Sequence, residues 1–185
     1  MRLSVGEGSA KVKGQYVVDT GDFDTTIKIQ NLPLGTFTKD MISPVTGNID
    51  GEMRILGKNN QVTDVVGSVK GRQIGIRGVV VDTAKANFTH ADNSTNMTVV
   101  GTIGDGALSG YGYIQNGNID ATISGNALPL TALSLIIGQD VDGTLNTSFA
   151  IQGTLDNPNV MGTVWGQEVH LSLIHISEPT RRVVI

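Results

Sequence analysis

The chain has 185 residues, a net charge of −4, no cysteine and 16% charged residues. The absence of cysteine excludes a disulfide framework and a thiolate metal site, and the absence of a Lys/Arg cluster argues against a nucleic-acid partner. The 24 glycines, the 4% of aromatic residues and the many Val, Ile, Thr and Asn are typical of strands and turns, with few of the large side chains that fill a compact core.

Apolar and polar residues alternate with a period of two along most of the chain, which predicts strands with one apolar and one polar face. The strand signals recur about every ten residues, so we expect some 16 strands of about nine residues each. In chain order, the apolar positions are Phe23, Ile27 and Ile29, then Ile49, Met53 and Ile55, then Met97, Val99 and Ile103, then Ile119, Ala121 and Ile123, and then Leu145, Phe149 and Ile151.

Short turn sequences lie between these runs, at residues 19–22, 58–61, 91–94 and 115–118. They are rich in Gly, Asn and Asp, the residues that tolerate the positive φ angles of tight hairpins. A parallel sheet would need crossover connections of a dozen or more residues, and few gaps in this sequence are that long. The pattern therefore predicts an antiparallel meander.

Two segments, 32–44 and 128–138, interrupt the alternation, and each begins with Leu-Pro-Leu. In the second segment, apolar residues follow one another at positions i, i+3, i+6 and i+7. That spacing favours a short amphipathic helix that starts just after Pro129, where proline is tolerated. The four residues are Leu130, Leu133, Ile136 and Ile137.

The two Leu-Pro-Leu elements also reveal an internal repeat, since Leu32 and Leu128 are 96 positions apart (128 − 32 = 96). The same offset joins other residues without a gap: Gly14 and Gly110, Gly21 and Gly117, Asp24 and Asp120, Val45 and Val141, and Gly57 and Gly153. We expect one structural unit to occur twice, at about residues 8–74 and 104–170, as in scaffold proteins.

The end of the chain differs from the rest. Residues 171–181 read Leu-Ser-Leu-Ile-His-Ile-Ser-Glu-Pro-Thr-Arg, a string that resembles the translation of a sequencing adapter. We therefore interpret residues 171–185 as a non-native tail, residues 1–170 as a fragment of a repetitive protein, and the natural chain as continuing beyond His170. A native, charged, Pro-containing tail is the alternative.

No motif in the sequence predicts catalysis, a metal or a cofactor. His90 and His170 lie in separate contexts and offer no Ser/His/Asp arrangement. Residues 140–143 begin like a calcium loop, but Ile151 stands where the bidentate Glu is required. The glycines of 104–106 lack the third glycine of a nucleotide-binding loop. We expect a protein that is not an enzyme.

Several short stretches resemble the translocation and assembly module (TamB) family and its AsmA-like relatives. The most specific is Gly-Thr-Leu-Asp-Asn-Pro-Asn-Val-Met-Gly at 153–162, which follows Ala-Leu-Pro-Leu at 127–130 and Val-Asp-Gly-Thr-Leu at 141–145. The first copy keeps Leu-Pro-Leu at 32–34, but it has Gln61-Val62 where the second copy has Asn-Pro.

This resemblance implies a long periplasmic protein whose inner-membrane anchor lies outside the sequence. It implies an all-β fold, an elongated antiparallel meander curled into a groove with one or two short helical straps. The groove would carry phospholipid acyl chains between the inner and outer membranes, or it would assist outer-membrane protein assembly together with a β-barrel partner.

The expected lining of the groove is the inward-facing apolar set, which would bind acyl chains by removing apolar surface from water. Its members are Ile27, Ile29, Met53, Ile55, Met97, Val99, Ile123, Phe149 and Ile151. Three alternatives remain: an adhesin-like or β-solenoid stalk built from parallel coils, a filled two-sheet sandwich, and an enzyme with polar groups that converge in a pocket.

Overall fold

A computed structural model describes residues 1–133 and 141–171 of the chain. Eleven strands form one sheet in which each strand pairs with its neighbours in sequence order, and every pairing is antiparallel. Within these residues β1 and β11 do not pair, so the sheet does not close into a barrel. The strands are β1 (Arg2–Val5), β2 (Gly8–Val17), β3 (Asp22–Pro33), β4 (Val45–Lys58), β5 (Gln61–Ile76), β6 (Val79–Ala91), β7 (Ser94–Ile103), β8 (Gly106–Gln115), β9 (Asn118–Pro129), β10 (Val141–Thr154) and β11 (Asn157–Leu171).

The predicted all-β antiparallel meander is confirmed, and the reason lies in the turns. All four predicted turn sequences connect consecutive strands. Their residues take the left-handed backbone conformation that tight hairpins need, with φ of 51° and 62° at Asn59 and Asn60, 50° and 59° at Asp92 and Asn93, and 70° at Gly21. Asn, Asp and Gly adopt this conformation at little cost, so each strand folds back on the one before it.

The predicted number and length of strands were wrong. The sheet has eleven strands rather than 16, and β5 alone is 16 residues long. The strands continue through positions that interrupt the alternation, because left-handed residues there produce bulges. Asn31 (φ 47°) displaces the register between Ile29 and Leu32 without ending β3. A bulge shifts the side-chain phase, and in the sequence it looks like the end of a strand.

Little helix accompanies the sheet in the described residues. The first Leu-Pro-Leu segment leads into α1 (Gly35–Thr38). The Thr38 hydroxyl then donates to the Val45 carbonyl at 2.7 Å and accepts from the Val45 amide at 3.0 Å, at the start of β4. In the second segment, Leu130–Leu133 forms a 3₁₀ turn where the amphipathic helix was predicted. The rest of that prediction, with Ile136 and Ile137, lies outside the described residues.

Residues 96 apart in sequence take the same local geometry. Asn31 and Ala127 both adopt left-handed angles, 47° and 49°. The Asn31 amide donates to Asp50 Oδ1 at 2.9 Å, and the Ala127 amide donates to Asn146 Oδ1 at 2.9 Å. Asp50 and Asn146 are themselves 96 positions apart (146 − 50 = 96). Each bulge is thus held by a side chain on the second strand of its own hairpin.

The described part of the chain has almost no enclosed core. Its buried hydrophobic residues are Ala121, Leu130 and Val141, and its buried polar residue is Asn146. No second layer covers either face of the sheet in the described residues, so the filled-sandwich alternative is excluded for that part of the chain.

Candidate functional site: an open apolar face

The pairing register collects apolar side chains from all eleven strands on one face. Residues opposite one another on neighbouring strands point to the same side of a sheet, so the register defines ladders that run across it. Ladder 1 is Leu32, Ile49, Gly71, Ala84, Gly101, Leu108, Gly125, Thr147 and Val164; ladder 2 is Leu3, Ala10, Ile29, Gly51, Val69, Ala86, Val99, Gly110, Ile123, Phe149 and Gly162; ladder 3 is Val12, Ile27, Met53, Gly67, Phe88, Met97, Gly112, Ala121, Ile151 and Val160.

Ladders 1, 2 and 3 lie side by side and contain a single polar residue, Thr147. A fourth ladder continues the same face and is more mixed. We call ladders 1 to 4 together the apolar face. Ladder 4 is Gly14, Thr25, Ile55, Val65, His90, Thr95, Ile114, Ile119, Gly153 and Pro158.

The opposite side of the sheet, the polar face, carries the charged side chains. One of its ladders reads Lys11, Lys28, Glu52, Ser68, Asn87, Thr98, Tyr111 and Thr122. Cross-strand ion pairs lie here: Lys28 with Glu52 at 3.0 Å, Arg54 with Asp24 at 2.7 Å, and Arg72 with Asp50. The hydrogen bond from Arg54 lowers the pKa of Asp24, and the hydrogen bond from the Asn31 amide, together with Arg72, lowers the pKa of Asp50.

The two faces differ in crowding, as adjacent valines on the same strand show. Val66 and Val100, on the polar face, are each 53% exposed, whereas Val65 and Val99, their neighbours on the apolar face, are half-buried. Because the residue type is the same, the difference reflects closer neighbours on the apolar side in the interior of the sheet. On the edge strand β11, Val160 and Val164 of the same face are 57% and 56% exposed. The face nevertheless stays open, since Met97 and Ile123 are each 45% exposed.

Three phenylalanines lie flat across neighbouring strands, each over a glycine. The Phe88 ring covers Gly67, where an added Cβ would stand 2.5 Å from Cζ. Phe23 covers Gly57 and Phe149 covers Gly162 so closely that an added Cβ would overlap the ring. Aromatic rings commonly cover glycines across a β-sheet in this way. These glycines leave room for the rings to lie close to the backbone of the neighbouring strand.

The structure places all nine predicted lining residues on the apolar face. Ile27, Met53, Met97 and Ile151 stand in ladder 3, Ile29, Val99, Ile123 and Phe149 in ladder 2, and Ile55 in ladder 4. This placement is geometric, and the binding of acyl chains at these residues stays a prediction.

Sequence reasoning missed the contribution of β5 and β6 to this face. Phe88 follows Ala84 and Ala86 at a spacing of two, so its alternation was available in the sequence. The signal in β5 is weaker, because Val66 on the polar face directly follows Val65 and hides the alternation with Gly67 and Val69.

The described residues offer little else that resembles a site. His90 Nδ1 lies 2.8 Å from the hydroxyl of Thr95 on the neighbouring strand. Residues 1–133 and 141–171 include no group of three or more His, Cys, Asp or Glu that could hold a metal ion. A depression of about 390 Å³ on the polar face is lined by Lys70, Arg72 and Lys85, but Arg72 already pairs with Asp50. No helix in this part of the chain is long and apolar enough to cross a membrane.

Comparisons with protein-family models, with curated proteins and with solved structures found no match. The resemblance of residues 127–162 to the TamB and AsmA-like family therefore stays a prediction. The fold itself is an open, eleven-stranded antiparallel meander.

Proposed function

We propose that the apolar face binds the acyl chains of phospholipids and shields them from water while they move between membranes. The observation that supports this proposal is the continuity of ladders 1, 2 and 3 across the sheet, with no covering layer in the described residues. Exposed apolar patches of this extent are unusual on monomeric proteins and mark sites of interaction with apolar partners.

The dimensions suit a hydrocarbon ligand. Eleven strands at about 4.8 Å per step extend about 48 Å across the sheet, and three ladders are about 14 Å wide. The hydrocarbon core of a bilayer is about 30 Å thick, so an acyl chain fits within the length of the face. Burial of each CH₂ group contributes about 0.8 kcal/mol without a directional requirement, so a chain can slide along the ladders.

The setting of this function rests on the resemblance of residues 127–162 alone. We propose a periplasmic location, in a longer protein attached to the inner membrane, with transfer toward the outer membrane or assistance to a β-barrel partner there.

The test compares matched substitutions on the two faces. Met97→Asp and Ile123→Asp place a carboxylate on the apolar face at positions that are already 45% exposed, and Val66→Asp and Val100→Asp place one on the polar face at positions 53% exposed. The probe is a phospholipid with a photoreactive group at the end of one acyl chain. Crosslinking yield is measured against lipid concentration, and circular dichroism checks that each variant keeps its sheet.

We expect the apolar-face variants to bind the probe about ten- to a hundredfold more weakly, because one apolar contact worth about 1.5–3 kcal/mol is lost. The polar-face variants should bind like the wild type. Equal losses on both faces, or a wild-type protein that does not crosslink at all, would refute the proposal.

A structural role as a stalk is the second candidate. In its β-solenoid form it requires parallel coils around a filled core. The antiparallel pairing of all eleven strands argues against that form.

A further inference from the structure

The apolar side of β11 repeats that of β5, a strand in the interior of the sheet, with the same residue at four of five positions. In β5 the residues of the apolar face are Val65, Gly67, Val69, Gly71 and Ile74, and in β11 they are Val160, Gly162, Val164, Gly166 and Val169, each 95 positions later. The pairing supports the match, since Val65 lies opposite Ile55 and Val160 lies opposite Ile151.

The backbones of the two strands match as well. Gln73 and Glu168, also 95 positions apart, both have φ of 50°. At each of these bulges the following side chain turns back over a glycine: an added Cβ would stand 2.8 Å from Ile74 at Gly71 and 2.6 Å from Val169 at Gly166. The polar faces match less well: Ser68 corresponds to Thr163, but Lys70 corresponds to Trp165. The match is therefore strongest on the apolar side and in the backbone.

The two strands differ in what lies beside them. β5 pairs along its outer edge with β6, from Asp64 opposite Ala91 to Ile76 opposite Val79. In the described residues the outer edge of β11 has no paired strand, and apart from Pro158, its second residue, the strand contains no Lys, Arg or Pro. Proteins commonly protect an exposed edge with such residues, because its unpaired N–H and C=O groups accept a further strand.

We propose that the outer edge of β11 is a strand-docking site for an extended polypeptide segment of the β6 type, with alternating apolar and polar residues. The segment pairs antiparallel, in the register that β6 has on β5. Its apolar residues then extend the apolar face. In β6, Ala84 lies opposite Gly71 and Phe88 opposite Gly67; the segment needs a small side chain at the second position too, because Phe149 already covers Gly162. Main-chain hydrogen bonds provide the affinity, and the side-chain alternation sets the register. This inference does not depend on lipid binding.

The chain contains no cysteine, so single thiols can map the register. The probe is a synthetic peptide with the sequence of residues 79–91 and Phe88→Ala, because Phe88 would lie opposite Gly162, which Phe149 already covers. Val69 lies opposite Ala86 and Lys70 lies opposite Lys85 in the sheet. The equivalent positions on β11 are Val164 and Trp165, which are 56% and 49% exposed.

Four combinations are mixed with a short-reach thiol crosslinker such as dibromobimane, using the full chain. We expect Val164→Cys to crosslink with the Ala86→Cys peptide and Trp165→Cys with the Lys85→Cys peptide. The exchanged combinations place the thiols on opposite faces and should give at least about tenfold less product, since directly opposed Cβ atoms are about 5 Å apart.

Equal yields in all four combinations would show contact without pairing, and absence of product would show that the edge takes no such strand. Either result would overturn the proposal, as would a Val164→Cys protein that crosslinks only to a second copy of itself. Each result is independent of the lipid experiment, whose substitutions lie at β5, β7 and β9.

Discussion

The Asp50 carboxylate holds the β3 bulge, and its removal tests how that bulge is stabilised. Asp50→Ala takes away the acceptor of the Asn31 amide, which lies 2.9 Å from Oδ1 in a half-buried position. A donor left without a partner costs about 1–3 kcal/mol. Since 1.4 kcal/mol is a factor of ten in an equilibrium constant, the Asn31 amide should exchange its hydrogen roughly 5- to 150-fold faster.

The chain supplies its own control, because Asn146 fills the same role in the second bulge. Asp50→Asn keeps an acceptor oxygen and loses the ion pair with Arg72. That pair is exposed at the surface, where ion pairs contribute about 0–1 kcal/mol. Asp50→Asn should therefore keep most of the protection at Asn31. Asn146→Ala should accelerate exchange at the Ala127 amide, its hydrogen-bond donor, and leave Asn31 unchanged.

Hydrogen exchange of the two amides, followed by NMR on the folded protein, measures these effects locally. If Asp50→Asn accelerated exchange at Asn31 as much as Asp50→Ala does, the ion pair with Arg72 rather than the hydrogen bond would hold the bulge. If Asp50→Ala left Asn31 protected, the side chain would have no part in it. Either result would refute this account of the bulge.

Three further predictions follow from the same geometry. Ala127→Asn should stabilise the fold by about 0.5–1.5 kcal/mol and raise the unfolding temperature, because alanine at φ 49° is strained in the left-handed conformation that asparagine tolerates better. The opposite change in the first bulge, Asn31→Ala, should lower the unfolding temperature. Equal unfolding temperatures for the wild type and both variants would contradict this prediction. Gly67→Ala should lower the free energy of unfolding, measured in urea, by about 1–3 kcal/mol, because the added Cβ displaces the Phe88 ring. In the control variant Gly112→Ala the nearest contact of the added Cβ would be 3.6 Å away, so this change should be neutral or mildly stabilising. The pKa values of Asp24 and Asp50 are lowered in the folded chain, so the stability that the two carboxylates contribute is present above the unfolded-state pKa and is lost as the pH falls through the lower folded-state values. The unfolding temperature of the wild type should therefore drop below about pH 4. A double Asp24→Asn, Asp50→Asn variant should show a smaller drop over the same pH range.

The candidate site was largely predictable, for a reason that lies in the geometry of strands. A period of two places residues such as Ile27 and Ile29 on the same side of a strand before any partner is known. It does not say which sides of different strands coincide. The register decided that Met97 on β7 stands in the same ladder as Ile27 on β3, with three strands between them.

The number of strands was not predictable, because a bulge and a strand end look alike in sequence. Asn31 and Ala127 both lie directly before a Leu-Pro element, where the alternation changes phase. The pairing beyond each bulge shows that the strand continues, and each bulge is bound by a side chain 19 residues further along the chain, Asp50 or Asn146.

The local chemistry of the sequence determined the turns and the two-faced character of each strand, because positive φ at Gly, Asn and Asp and the alternation of side chains require no distant partner. Tertiary structure decided how the strands share one face, where the rings of Phe23, Phe88 and Phe149 lie over glycines, and that β11 lies at an edge of the sheet among the described residues. These features depend on register between strands. In antiparallel pairing a shift of one residue moves every side chain to the other face, so the register is set by the whole sheet rather than by any one strand.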